Sequence, residues 1–242
     1  MDILKVSNQQ IPISIRKSDR ARRLTLRLHA EDGTFELVVP KFVMKFEINR
    51  FLKIHIPWIE KQWSTIEKQI SKRPKPKYET GDIFYYYGEQ VSLQVRPTEK
   101  KRPSIRVRGD KMIINLYYKI SESDGKKLIK KTIEQFYKKK AEEVIHDRLQ
   151  HFNEYYGFKY NRVTLRKQKS RWGSCSDRKN LNFNWKLIMA PIEIIDYVVV
   201  HEMCHLKQMN HSSKFWNLVA EKMPDYKELR KWLKDNRYLL TY

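Results

Sequence analysis

The pentapeptide His201-Glu202-Met203-Cys204-His205 places three chemically useful side chains together. Histidines four residues apart on a helix project from one face, so both imidazoles can bind a single metal ion. The glutamate beside the first histidine is directed toward the same space, where it can accept a proton from a metal-activated water. Zinc lowers the pKa of such a water from 15.7 to about 7. The pattern predicts a hydrolytic metal centre with Glu202 as general base.

A catalytic metal ion needs a further protein ligand, and His211 is the best-placed candidate. It follows His205 by six residues, and a left-handed Asn210 would end the helix and turn His211 back toward the metal. Cys204 could also bind metal, but its position favours a small buried packing residue. His201, His205 and His211 would hold one zinc ion per chain and leave its fourth coordination position open for water or substrate.

The segment from Lys169 to Ser176 precedes the metal-binding pattern and has the composition of a turn. It joins two predicted strands, Arg162–Arg166 and Leu181–Leu187. An extended strand beside an active-site helix can pair with an extended substrate through its free edge. Arg171 can bind a carboxylate, a phosphate or a developing oxyanion, although it can equally fix the turn against the helix. Arg171 and Ser174 are therefore the candidate substrate-binding residues.

Helical periodicity dominates the second half of the chain. Ser121 or Ser123 is expected to cap a long helix over about 126–156, which Gly157 ends. Pro191 is expected to open the metal-binding helix, which the pattern continues to about Met209. Two further helical stretches are predicted at the end of the chain, Lys214–Lys222 and Tyr226–Asp235.

The first half of the chain is predicted to be rich in β-strands. Short alternating segments are separated by turn residues such as Gly109-Asp110, and residues 42–71 change to helical spacing. Pro57 is expected to begin a second helix within that stretch. No internal repeat is apparent. The expected fold class is α+β, with a β-rich region over residues 1–120 and a small metallohydrolase domain over residues 121–242.

Composition limits the class of protein. The 242 residues are 40% hydrophobic, which excludes wholesale disorder, and no apolar run is long enough to cross a membrane. The first residues lack the features of a signal peptide, and two cysteines cannot form a disulfide framework, so a cytoplasmic location is expected. The net charge of +22 favours a nucleotide or nucleic-acid partner, although a lysine-rich surface alone would give the same balance.

The C-terminal motifs resemble the YgjP-like family of zinc metallopeptidases, a zincin-type family related to the SprT-like proteases. The resemblance rests on strings across residues 160–240: Arg171-Trp172-Gly173-Ser174-Cys175, Leu181–Ile188 with Pro191, Tyr197–Glu202, Asn210-His211-Ser212, Phe215-Trp216 and Pro224-Asp225-Tyr226. It implies a zincin-like domain in which His201, His205 and His211 bind zinc and Glu202 is the catalytic base. Gln208 stands where metzincins have glycine, which argues against membership of that group.

Three functions are compatible with these residues. The first is a zinc metallopeptidase that cleaves polypeptides. The second uses the same centre to hydrolyse a phosphoanhydride or phosphodiester bond in a nucleotide or nucleic acid, which the basic charge motivates. The third is a nucleic-acid-associated protease or binding module. An open coordination position beside a glutamate favours catalysis over a structural metal, because structural zinc sites are usually closed by four protein ligands.

Overall fold

The computed structural model describes residues 2–6, 9–29, 33–71, 76–168 and 171–240. It divides the chain into two compact units, Met1–Arg73 and Pro74–Tyr242. The boundary between the two regions is predicted from the sequence near residue 120, later than the one observed. The division falls earlier because the strands over residues 83–117 share one hydrophobic core with the long helix that follows them. The α+β fold class is confirmed, with a β-rich N-terminal region as expected.

The first unit combines a sheet with one helix. Its elements are β1 Asp2–Val6, β2 Gln9–Ser18, β3 Thr25–His29, β4 Thr34–Pro40 and α1 Lys45–Ser71. The strand order is β1-β2-β4-β3, with β2 and β4 parallel and the two outer pairs antiparallel. Side chains alternate along each strand, so one face of the sheet presents Ile13, Phe35 and Leu37, which are buried under α1.

Pro57 does not begin a second helix. It lies inside α1, which continues through it to residue 71. Proline removes one backbone hydrogen bond from a helix interior and favours a break or a kink. Leu52 and Ile59, on either side of Pro57, are both buried against the same sheet, and this shared packing keeps the two segments in one helix.

The second unit begins with another sheet and helix. Its elements are β5 Ile83–Tyr86, β6 Glu89–Thr98, β7 Ser104–Arg108, β8 Lys111–Tyr117 and α2 Glu122–Tyr156. The strand order is β5-β6-β8-β7, with β6 and β8 parallel and the outer pairs antiparallel. The inner face of this sheet packs against α2. Ser121 caps α2 by accepting a hydrogen bond from the amide of Asp124, and Gly157 ends it in the left-handed conformation, as predicted.

The two units therefore repeat one arrangement of four strands and a helix. Strands β2 and β6 have ten residues each, β3 and β7 have five, and β4 and β8 have seven. The strand order and the parallel or antiparallel sense of each pairing are also the same. The repeat is not visible in the amino-acid sequence because the side chains at corresponding positions differ.

The rest of the second unit is a small sheet and a set of helices. Its elements are β9 Arg162–Arg166, β10 Gly173–Cys175, β11 Asn180–Asn184, a 3-10 helix Trp185–Met189, α3 Ile192–Cys204, α4 Ser213–Ala220, α5 Tyr226–Asp235 and a 3-10 helix Arg237–Leu240. The strand order is β10-β11-β9, so β10 lies at an edge. Within the described ranges, every helix is too short or too polar to cross a bilayer.

The strand predicted over Leu181–Leu187 is shorter than expected. It ends at Asn184, whose side chain accepts a hydrogen bond from the amide of Lys186 and begins the 3-10 helix. Asparagine favours such a local hydrogen bond over continued strand pairing. The buried 3-10 helix then leads directly into α3.

The start of α3 is fixed by the hairpin between β5 and β6. The amides of Tyr87 and Gly88 donate to the carbonyls of Ile188 and Met189, at 2.9 and 3.1 Å. Gly88 has a φ of +83°, and a Cβ atom on it would lie 2.7 Å from Cγ of Pro191. Only glycine fits both the backbone conformation and this close approach. The first sheet of the unit thus positions the helix that bears the metal-binding pattern.

A partly buried ion pair ties the middle of α3 to α2. Arg148 binds Asp196 through both carboxylate oxygens, with 2.8 Å between Nη2 and Oδ2, and the guanidinium also lies over the ring of Phe152. The exposed fractions of the two side chains are 27% and 13%. A bidentate pair of this kind is geometrically specific, so it fixes the rotation of α3 against its neighbour.

We expect Asp196→Asn to lower the free energy of unfolding by about 2 kcal/mol, because it leaves Arg148 without its counter-charge. This loss is smaller than that for a fully buried pair, since both side chains are partly exposed. The matched control is Glu143→Gln, which breaks the exposed pair of Glu143 with Lys140. That change is expected to cost less than about 0.5 kcal/mol. Urea denaturation followed by circular dichroism measures both, and equal losses would show that the Arg148 pair has no special role.

Candidate metal centre

The structure brings His201, His205 and His211 together. One possible ligand atom from each side chain lies within 4.8 Å of the other two. The Nε2 atoms of His201 and His211 are 3.1 Å apart, and the three ring centroids are separated by 4.7 to 5.0 Å. His201 lies in the last turn of α3, His205 directly follows that helix, and His211 lies in the loop before α4.

The environment keeps two of the imidazoles neutral. Burial, together with smaller effects of repulsion by the charged forms of His205 and His211, lowers the pKa of His201 to about 3. Burial also lowers the pKa of His205, against the opposing effect of its hydrogen bond to Gln208. Neutral imidazoles have the free lone pair that a metal ion requires.

The orientation of His205 is set by the backbone that follows it. Its Nδ1 atom is 3.0 Å from the carbonyl oxygen of Gln208, so this nitrogen carries the proton and donates. The remaining nitrogen, Nε2, then has the lone pair. A metal-binding histidine commonly has such a second hydrogen bond, which fixes both its tautomer and the direction of its ring.

The metal-binding helix ends earlier than the sequence predicts. It stops at Cys204 rather than near Met209, because the amides of Leu206 and Lys207 donate to the carbonyls three residues back, those of Met203 and Cys204, in a tight turn. Asn210 is not left-handed, since the described non-glycine residues with positive φ are Tyr78, Tyr87 and Lys179. The tight turn after Cys204 therefore ends the helix, which is the role predicted for Asn210. Cys204 itself is fully buried, as expected for a packing residue.

Two aromatic residues of α4 support the histidines from behind. Phe215 is fully buried, and its ring lies 4.5 to 4.9 Å from the rings of His201, His205 and His211. Trp216 stacks on His211 with 5.6 Å between centroids. This contact fixes the one histidine that does not follow directly from α3.

The stack continues behind Trp216. Tyr226 lies 4.9 Å from it at an interplanar angle of 14°, and the guanidinium of Arg230 is 5.2 Å from its centroid. Both contacts come from α5, so α5 supports the loop histidine through α4. Sequence reasoning finds Phe215 and Trp216 only as part of a family resemblance, because nothing in their spacing indicates contact with the ligands.

Glu202 lies beside the histidines in a tightly enclosed position. The residue is 5% exposed, and burial raises the pKa of its carboxyl group to about 8, with an opposing effect from the charge of Arg171. A Cβ atom on Gly173 would lie 2.5 Å from Cγ and 2.6 Å from Oε1 of Glu202. Gly173 thus leaves the space that the glutamate occupies. Sequence reasoning does not assign this role, although a glycine inside a strand is a general indication of close approach.

Arg171 and Ser174 both line the cleft at this site, whose volume is about 400 Å³. The backbone of Arg171 is held by Asn184, whose Nδ2 donates to the carbonyls of Gln168 and Arg171 at 2.9 and 3.2 Å. Side chains alternate along β10, so Ser174 points away from the face on which Gly173 meets Glu202. Its hydroxyl accepts a hydrogen bond from Asn182 at 3.4 Å.

The donor set fits a metal ion. Within the described part of the chain, Nδ1 of His201 and Oε2 of Glu202 are buried and have no hydrogen-bond partner. The Nε2 atoms of His201 and His211 are 3.1 Å apart, and they cannot both direct a lone pair at each other unless a proton or a cation lies between them. A divalent cation among the three nitrogens removes this conflict and provides the charge that a buried carboxylate needs.

Solved structures include two that resemble part of this chain. One is the metallopeptidase zymogen abylysin of Pyrococcus abyssi, at 26% identity and a TM-score of 0.34, over 37% of this chain and 93% of that one. The other is the metallopeptidase zymogen jannalysin of Methanocaldococcus jannaschii, at 20% identity and a TM-score of 0.33, over 40% and 96%. A search of curated proteins gives no match.

A family model covers most of the sequence. It is described as the YgjP-like metallopeptidase domain and matches residues 22–236, which include most of the first unit as well as the histidine cluster. The match extends over far more than half of the 242 residues. The chain therefore belongs to the YgjP-like family of metallopeptidases.

Proposed function

We propose that this protein is a zinc-dependent metallopeptidase in which His201, His205 and His211 bind the zinc ion and Glu202 is the general base. The observation that supports this assignment is the convergence of three imidazoles beside a buried carboxyl group, in a chain of a metallopeptidase family. Three nitrogen ligands suit zinc, and the ion would polarise the peptide carbonyl and acidify a water molecule.

Glu202 accepts the proton of the attacking water and passes it to the nitrogen of the departing amine. Burial makes its carboxylate a stronger base than an exposed glutamate, because the pKa of the group is raised to about 8. A general base works best when its pKa lies near the working pH. Gly173 and α3 hold the carboxylate in a single enclosed position, so little reorganisation is needed when the proton moves.

The polypeptide substrate binds along the edge of β10. Among the strands of the described ranges, β10 pairs with β11 alone, so its other edge is available for a further strand. An extended peptide adds to such an edge as a further strand. Ser174 contributes its backbone to this pairing, since its hydroxyl is already bound by Asn182. Arg171 lines the cleft and stabilises the negative charge that develops on the carbonyl oxygen of the scissile peptide bond.

We expect Glu202→Gln to retain zinc and to lose turnover by at least about a hundredfold, because an amide keeps the shape of the side chain but cannot accept the proton. Cleavage of a fluorescently labelled unfolded polypeptide measures activity, and elemental analysis measures zinc. Unchanged turnover would exclude Glu202 as the general base. Release of phosphate from nucleotides without any peptide cleavage would instead favour the phosphoanhydride alternative.

Loss of a residue that only supports a metal ligand typically lowers affinity by roughly 10–100-fold. We expect His211→Ala to lower zinc affinity by more than this, because it removes a direct ligand and leaves only two imidazoles. Zinc content after dialysis against a competing chelator is the measurement. His146→Ala is the matched control, since His146 is exposed on α2 and lies outside the histidine cluster. Equal zinc retention in the two variants would remove His211 from the ligand set.

We expect Gly173→Ala to retain zinc but to lower kcat by about a hundredfold, because the new methyl group displaces the carboxylate of Glu202 by close to an ångström. Gly125→Ala is the matched control. A Cβ atom there would make ordinary contacts of 3.4 and 3.5 Å with Leu116 and Ile120. Full activity in Gly173→Ala would show that Glu202 can work from a different position.

A further inference from the structure

The outer face of the sheet β5-β6-β8-β7 has a concentration of positive charge. Ile105 and Val107 of β7 pack into the core, so the residues that alternate with them, Arg106 and Arg108, point outward and are exposed. Lys111 lies opposite Arg108 on β8, and Arg96 lies two strands away on β6. We call these four residues the basic face.

The basic face has no carboxylate partner among the described ion pairs. Within the described ranges, none of the four side chains forms an ion pair, and the positions between them on the outer face are Ser92, Gln94, Ser104, Ile113 and Asn115. Asp110 occupies the turn between β7 and β8, where its carbonyl accepts from Ser92. Four uncompensated cations on one flat surface favour a polyanionic partner.

The repeated architecture provides an internal comparison. In the first unit Arg27 lies opposite Glu36, which lies opposite Ser14. The corresponding positions of the second unit hold Arg106, Ile113 and Gln94 in the same register. The carboxylate in the middle of the first face also binds Arg16, at 2.9 Å. On the first face, therefore, a carboxylate pairs with Arg16 and lies opposite Arg27, whereas the second face has isoleucine at that position.

Aromatic residues lie at one end of the basic face. Tyr117 is on the outward-facing side of β8, about 20 Å along the strand from Lys111. It borders a cavity of about 420 Å³ that Arg96 also lines, together with Tyr78, Pro97, Leu116, Tyr118 and Ile120. Tyr118 is 55% exposed, and its ring lies 5.3 Å from that of Tyr117. The carboxylates at the rim, Glu79 and Glu122, are both bound by Lys126.

From this juxtaposition we infer that the second unit binds single-stranded nucleic acid, with phosphates on the basic face and an unpaired base in the tyrosine-lined cavity. Arginine binds phosphate bidentately, and exposed tyrosines stack on bases whatever their sequence. A duplex cannot place a base in the cavity without opening. Among the described positions between the four cations, the apolar residue, Ile113, is only 5% exposed and offers little to a membrane. Ile83, on β5 at the edge of the same sheet, is 38% exposed.

The test uses the full chain with zinc and Glu202→Gln, so that binding is measured without turnover and independently of the proposed peptidase activity. Fluorescence anisotropy follows a labelled oligothymidylate over a salt series. We expect Arg96→Gln with Arg106→Gln to weaken binding about tenfold and to reduce the salt slope by about 1.4, from two lost phosphate contacts. Arg16→Gln with Arg27→Gln removes the same charge from the corresponding positions and is expected to leave binding unchanged.

A second pair of variants tests the cavity. Tyr118→Ala is expected to weaken binding about tenfold, and Tyr118→Phe to retain it, because stacking needs only the ring. Arg108→Gln with Lys111→Gln repeats the charge test, should the first pair fail to fold. Equal losses in the two arginine pairs, equal competition by poly-glutamate, or tighter binding of duplex than of single strand would each overturn the inference.

Discussion

The metal centre depends on an electrostatic conflict that the fold creates and a cation resolves. Three imidazoles and a carboxyl group occupy a small volume, and two of these side chains, His205 and Glu202, are buried. Burial removes the water that would satisfy them, which is why the pKa of His205 falls and that of Glu202 rises. Such groups are costly to bring together without a ligand. The folding energy of the surrounding helices therefore maintains a cluster of donors that is suited to a divalent ion.

Rigidity at this site comes from several independent elements. The hairpin at Gly88 fixes the first turn of α3, and the pair of Arg148 with Asp196 fixes its rotation. Phe215 supports all three histidines, and the stack behind Trp216 connects His211 to α5. A small displacement of any ligand changes the coordination geometry, so this supporting shell matters as much as the ligands themselves. It also explains why a histidine on a loop can serve beside two histidines anchored by a helix.

The sequence predicts the cluster well because its chemistry is local. The spacing of His201 and His205 follows from helix geometry alone, and His211 follows from the need for a further ligand. The predicted end of α3 is wrong, because backbone hydrogen bonds of the turn after Cys204 end the helix before any signal from Asn210. Pro57 gives a wrong helix boundary for the opposite reason, since long-range packing overrides a local preference. The role of Gly173 depends on a contact across 29 positions of sequence, which no local pattern records.

The repeat of four strands and a helix shows how one backbone serves two surfaces. Burial constrains only the inner face of each sheet, so the outer face is free to change without loss of the core. The equivalent positions Glu36 and Ile113 show this freedom, because Glu36 pairs with Arg16 whereas Ile113 leaves the neighbouring arginines unpaired by any described carboxylate. The second sheet also fixes the start of α3 through Gly88, so the basic face, which we propose as a polyanion-binding surface, belongs to the same sheet that positions the helix of His201. The charge of the outer face can therefore change without disturbing the inner face or the hairpin that positions α3.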